Sequence, residues 1–161
     1  MFVQDFQVLD HPCEQVLSCL EGGTDARLGA AFEGARVEGE HLLTRVGPAG
    51  WPAVLSKSVE IRSGPVRHHG DGALIPLNWE ASAGASLFPR LDADLEVAPF
   101  GADRTQLVLR ARYEPPGGAL GRRLDRILLH RLAESTLRTF LDGLCVGVKD
   151  TLPQKDAGPL S

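Results

Sequence analysis

The spacing of apolar residues changes along the chain, and this change is what most constrains the fold. Residues 12–34 carry apolar side chains at helical spacing, whereas six later segments alternate between apolar and polar residues. The alternating segments are residues 41–46, 54–62, 66–69, 73–83, 91–99 and 104–113. Such alternation is typical of a strand with one buried face. The pattern therefore predicts a sheet that follows one or more short helices.

Turn-forming residues separate the predicted strands. Gly47-Pro48 and the segments 63–65, 70–72 and 101–103 combine glycine with proline, serine or aspartate, which is typical of tight turns. Short connections of this kind join antiparallel strands. We therefore expect an antiparallel sheet of six to seven strands.

The last two predicted strands have one apolar side and one charged side. The acidic residues of the first alternate with leucine and valine, and the arginines of the second alternate with leucine and alanine; the charged residues are Asp92, Asp94, Glu96, Arg104, Arg110 and Arg112. One face of an antiparallel sheet is commonly buried while the other meets water. We expect the acidic and basic rows to lie side by side as cross-strand pairs on the solvated face.

The N-terminal segment is predicted to form one strand and two short helices. Residues 1–9 alternate, and Pro12 suits the first turn of the helix that follows. Gly22 and Gly23 end this helix, and Thr24 can cap a second one that ends near Gly34.

The segment 119–148 contains no proline and predicts one long helix. At 100° per residue, one apolar face comprises Leu129, Ala133, Leu137, Phe140, Leu141, Leu144 and Val148. A second face comprises Leu120, Leu124, Ile127, Leu128 and Leu132. Extending the first face toward the helix start reaches Arg126 and His130. Either the helix bends, or its first half borders something other than a dry core.

Composition is consistent with one folded domain, which we place at residues 1–149 with a loose tail at 150–161. Of the 161 residues, 43% are apolar and 24% charged, as in ordinary soluble domains. The net charge of −4 gives no overall attraction to nucleic acid. Without a basic leader or an apolar run of about 18 residues, we expect a cytoplasmic protein that does not insert into a membrane.

Cysteine and histidine spacing predicts neither a disulfide framework nor a metal site. Cys13, Cys19 and Cys145 cannot all pair, and no CxxC motif occurs. His68 and His69 are neighbours on a predicted strand, so their side chains leave on opposite faces and cannot chelate one ion. We expect no metal or other cofactor.

Several stretches of the sequence resemble bacterial members of the helix-grip (SRPBCC) superfamily, which includes START lipid-transfer domains, Bet v 1-like proteins and polyketide cyclase/dehydrase-like proteins. The resemblance rests on the order of predicted elements across residues 1–149 and on residues 6–20, 75–79, 87–89, 104–107 and 113–116, with Gly121 and Asp125. It implies an α+β fold in which a curved antiparallel sheet wraps around the long C-terminal helix.

The resemblance also implies a hydrophobic cavity between the sheet and that helix. The function we expect is binding of a hydrophobic small molecule such as a lipid, a polyketide or an aromatic compound. One alternative is an enzyme of the polyketide cyclase/dehydrase type, working without a metal or nucleotide cofactor. Another is a protein-interaction module with a filled core, in which Leu120, Leu124 and Leu128 dock a partner or a second copy in a homodimer.

Four residues are our candidates for the cavity lining: Trp79, Tyr113, Arg126 and His130. Trp79 shares a strand face with Leu77, and Tyr113 shares one with Leu109, so both are expected to face inward. His130 or Tyr113 would be the proton-transfer group of a cyclase. The alternatives are core packing for the two aromatic residues, and solvent exposure for Arg126 and His130, with His130 paired to Glu134.

Overall fold

The computed structural model describes residues 2–22, 30–31, 33, 59–81, 90–114 and 126–153. The strands in these ranges are β1 (Phe2–Leu9), β2 (Val59–Ser63), β3 (Arg67–His69), β4 (Gly72–Ala81), β5 (Arg90–Pro99) and β6 (Thr105–Glu114). The two long helical segments are α1 (Cys13–Glu21) and α2 (Arg126–Thr151). The predicted strand at 41–46 and helix start at 119–125 lie outside the described residues.

All strand pairs of the sheet are antiparallel, as the short turns predict. The strands lie in the order β1-β6-β5-β4-β2, and β3 also pairs with β4. The turns before β4 and β6 contain Gly70 and Gly101, both with positive φ, a conformation that glycine adopts without strain. With α2 packed on this sheet, the chain has the expected helix-grip architecture.

The strand β1 lies at one end of the described sheet and pairs with β6. The backbone N–H of Phe6 donates to Oδ1 of Asp5 at 2.9 Å, so the side chain of its neighbour satisfies this donor. The side chains of Phe2 and Phe6 are exposed, whereas Val3 and Leu9 are buried. The alternation predicted for this strand is confirmed.

The outer face of the sheet, which lies opposite α2, is charged. Asp92 pairs in register with Arg112, and Asp94 with Arg110. The guanidinium of Arg110 donates to the carboxylate of Glu96, one diagonal step away. The acidic and basic rows therefore lie side by side on the solvated face, as predicted, but among the described residues of these rows only Arg110 and Glu96 form an ion pair.

The buried face of α2 is the one that contains Phe140. Its buried residues are Ala133, Leu137, Phe140, Leu141, Leu144, Cys145 and Val148. Ile127, from the second predicted face, is exposed, and the side chains of Leu128, Leu129 and Leu132 lie outside the described part. The helix ends at Thr151 rather than at Val148, and the hydroxyl of Thr151 donates to the carbonyl of Gly147 at 2.9 Å.

The helix α1 packs against the sheet and α2, so that both of its cysteines are buried. The thiol of Cys13 donates to the carbonyl of Asp71 at 3.3 Å, and the hydroxyl of Thr105 donates to the carbonyl of His11 at 2.7 Å. These bonds connect the start of α1 to the turn before β4 and to β6. Ala30, Ala31 and Glu33, within the predicted second helix, are helical. Neither described helix has the length and hydropathy that crossing a bilayer requires.

The close approach of β4 and β5 requires glycine at position 72. A Cβ atom there would lie 2.5 Å from the carbonyl oxygen of Val97, well inside van der Waals contact. We expect Gly72→Ala to lower the free energy of unfolding by about 1–3 kcal/mol, measured by urea denaturation.

The matched control is Gly147→Ala in α2, where an added Cβ has no neighbour within 4 Å. Alanine is the better helix former, so this variant is expected to be more stable by about 0.5–1 kcal/mol. Equal stability changes in the two variants would contradict the close-approach argument.

Candidate functional site

The residues facing α2 form successive cross-strand rows on the inner face of the sheet. One row contains Tyr113; in the backbone register Leu91 of β5 is opposite Tyr113, and Trp79 of β4 is opposite Leu91. The next row toward the middle of the sheet contains Val3, Ala111, Ala93 and Leu77. The row after that contains Leu109, Leu95 and Ile75.

The row of Ala111 and Ala93 is the one with the smallest side chains in the centre of the sheet. Both alanines are buried, and in the next row their positions are taken by Leu109 and Leu95. A methyl group extends less far from the sheet than an isobutyl group. The inner surface is therefore lower at the alanine row than at the leucine row.

Two polar contacts align α2 with the sheet. Asp5 lies 3.6 Å from Arg138, measured from Oδ2 to Nε, and the amide of Gln7 donates to Oδ1 of Asp142 at 2.6 Å. From the first contact to the second, the residue number rises on both elements, so α2 runs in the same direction as β1. Two residues of strand span about 6.6 Å, and five residues of helix about 7.5 Å. Moving back from the contact between Asp5 and Arg138 by two residues on β1 and five on α2 places Ala133 level with Val3.

A third alanine, which lies on the helix, is therefore level with the two alanines of the sheet. Ala133 is buried, and so are the large residues that follow it on the same helix face, beginning with Leu137 and Phe140. These large residues belong to the same buried cluster as Leu95 and Leu109. The described interior thus has a half lined by large residues and a half lined by smaller ones, and the second is our candidate site.

Tyr113 lies at the end of this site. Its side chain is 2% exposed and its hydroxyl oxygen is buried. Burial raises the pKa of the phenol to about 12, because the anion loses its hydration. At neutral pH the hydroxyl is protonated and can donate a hydrogen bond to an oxygen atom in the interior.

The structure gives less information about the other three predicted lining residues. The backbone of Trp79 lies in β4, and Arg126 begins α2, but their side chains lie outside the described part. His130 is 44% exposed, and its Nε2 lies 3.2 Å from Oε1 of Glu134, the pairing expected if His130 faces solvent. The role of these three residues in a cavity remains a prediction.

The described part of the chain gives no support for metal or thiol chemistry. It contains no cluster of three potential metal ligands, and Nε2 of His68 lies 2.8 Å from Oε1 of Glu21. Burial raises the pKa of Cys13 and raises that of Cys145 to about 11. These thiols are protonated at neutral pH and are poor nucleophiles.

Comparison with known proteins identifies the fold. The sequence matches no protein-family model and no curated protein. A hypothetical protein from Helicobacter pylori is similar in structure, with a TM-score of 0.51 at 13% identity, covering 91% of this chain and 86% of that one.

An aromatase/cyclase from Streptomyces sp. R1128 has a TM-score of 0.50 at 14% identity, covering 99% of both chains. A conserved protein from Geobacillus kaustophilus has a TM-score of 0.50 at 12% identity, covering 94% of this chain and 97% of its own. At these identities the likeness concerns the fold, and it confirms the helix-grip architecture.

Because Tyr113 is the single tyrosine of the chain, its ionisation can be followed directly by ultraviolet absorbance. We expect a midpoint at about pH 12 in the folded protein, and near 10 after unfolding in urea. The raised pKa also makes stability depend on pH. The contribution of Tyr113 is complete below pH 10 and is lost as the pH rises toward 12. A folded-state midpoint of 10 would contradict the apolar surroundings of the hydroxyl.

Proposed function

We propose that this protein binds a hydrophobic small molecule between the inner face of the sheet and the first half of α2. The observation that carries the proposal is the coincidence of Ala93, Ala111 and Ala133 at one level of the interior. Apolar ligands are held in concave, mostly apolar sites with a few polar groups that set their orientation. Small buried side chains next to a buried tyrosine are consistent with such a site.

The chemistry of the interior indicates the class of ligand. A charged group would lose its hydration beside the alanine row, at a large cost in free energy. A neutral oxygen, such as a ketone, ester or hydroxyl, could instead accept a hydrogen bond from Tyr113. Lipids, polyketides and aromatic compounds with one such oxygen fit this description. Trp79, Arg126 and His130 are the further lining residues of this proposal.

The main alternative is a cyclase or dehydratase, and one of the similar structures is an aromatase/cyclase. In that case Tyr113 would act as a proton donor, because its raised pKa makes it a poor general base at neutral pH. The side chain of His130 is half-exposed and lies beside Glu134. Because the other predicted proton-transfer group, His130, is half-exposed and paired with Glu134, we favour binding without turnover.

The third candidate is an interaction module, with a homodimer as one form of it. It relies on the second apolar face of α2, whose residues Leu120 and Leu124 lie outside the described part. Ile127 on this face is exposed. This candidate differs from ligand binding in having a filled core. The experiment that separates the two therefore changes a residue of the alanine row.

The test is Ala93→Leu, which adds three carbon atoms in the alanine row of the sheet. Native mass spectrometry of the purified protein is expected to show a co-purified small molecule that denaturation releases. The variant is expected to lose this molecule and to keep its stability in urea, because the added side chain occupies the space of the ligand.

The control is Ala98→Leu, on the outer face of the same strand, which should keep the ligand. In a filled core, Ala93→Leu would instead lower the free energy of unfolding by about 1–3 kcal/mol through overpacking. That result, together with a ligand-free mass and no change in melting temperature with a panel of lipids and aromatic polyketides, would contradict the proposal.

A further inference from the structure

A groove of about 560 Å³ crosses the outer face of the sheet, on the side opposite α2. Its lining includes short or compact residues, among them Gly64 after β2 and Pro76 and Asn78 on β4. Longer side chains stand on both sides, with Arg62 on β2 at one side and Phe2 and Arg112 at the other. This volume lies within the range of small-molecule sites.

Most of the charged groups around the groove already have partners. Arg110 is bound to Glu96, and the amide of Asn78 donates to Oδ1 of Asp92 at 2.7 Å. Arg112 and Asp94 differ, because neither forms an ion pair or a hydrogen bond with the part of the chain described. Both nevertheless line the same groove.

Arg112 and Asp94 are close neighbours of opposite charge. Arg112 is opposite Asp92, and Asp94 is opposite Arg110, so Arg112 and Asp94 occupy diagonal positions on adjacent strands, about 7–8 Å apart. Their charged ends are more than 4 Å apart, since no ion pair joins them. A ligand with both charges could bridge this gap, with a carboxylate on Arg112 and an ammonium on Asp94.

Phe2 adds an apolar surface beside the charged pair. It is opposite Arg112 in the register of β1 and β6, and its side chain is 56% exposed. An exposed ring next to a ligand carboxylate site offers a surface for an aromatic group. We infer that this outer groove binds an aromatic zwitterion, meaning an amino acid or short peptide whose ring packs on Phe2 and whose two charges bind Arg112 and Asp94.

The test compares three probes that differ only in charge: L-phenylalanine, 3-phenylpropanoate and phenethylamine. Titration of the ¹⁵N-labelled protein at pH 7, followed by NMR, gives an affinity for each probe and identifies the amides that respond. L-Phenylalanine is expected to bind up to about fivefold more tightly than either singly charged probe, since each exposed ion pair contributes up to about this factor. The shifted amides should lie in β5 and β6.

Substitutions test which residue of the protein binds each charge of the ligand. Asp94→Asn should weaken L-phenylalanine about fivefold and leave 3-phenylpropanoate unchanged, because the latter has no ammonium. Arg112→Gln should weaken L-phenylalanine equally and leave phenethylamine unchanged. Arg67→Gln on β3, an exposed arginine outside the groove lining, is the control and should change none of the affinities.

Three results would overturn the inference. They are no response to L-phenylalanine at tens of millimolar, equal affinities for the three probes, or responses that are the same in all variants. Because all the substituted side chains are exposed or half-exposed, the fold is expected to survive, and the ¹⁵N spectrum of each variant checks this directly.

Discussion

The position of α2 along β1 determines which inner residues of this protein meet. Two contacts set it, between Asp5 and Arg138 and between Gln7 and Asp142. They lie at the border of the core: the side chain of Arg138 is exposed, whereas Oδ2 of Asp5 is buried. A shift of one helical turn would bring Leu137 to the level of Ala93 and Ala111, and the half of the interior lined by small residues would be filled.

The antiparallel pleat gives the two faces of the sheet different chemistry. Successive residues of β5 and β6 point to opposite faces, so that Leu95 and Leu109 contribute to the core while Asp94 and Arg110 meet water. The inner face accordingly suits an apolar molecule held by one hydrogen bond. The outer face suits a small charged one. The same ten-residue strands serve both faces, because successive side chains of a strand point in opposite directions.

Much of this fold can be predicted from local patterns in the sequence. Alternation identified β5 and β6, turn residues predicted their antiparallel pairing, and helical spacing identified the buried face that contains Phe140. The candidate site was harder to predict, because it depends on the level of α2 relative to β1, which no local pattern encodes. Ala93, Ala111 and Ala133 were therefore missed, although small residues in two neighbouring strands were a visible signal. The prediction that His130 lines the cavity likewise depended on the direction in which its side chain points.

The pairing of β1 with β6 has a consequence for how the chain folds. Phe2 and Arg112 are partners in the ladder, although about 100 residues separate them along the chain. During synthesis, β1 leaves the ribosome long before its partner exists, and the pairing must wait for nearly the whole chain. Contacts between such distant segments fold slowly, and unpaired strands expose surface that aggregates. With Phe2 and Phe6 on it, β1 is the segment that a nascent-chain chaperone would have most reason to protect.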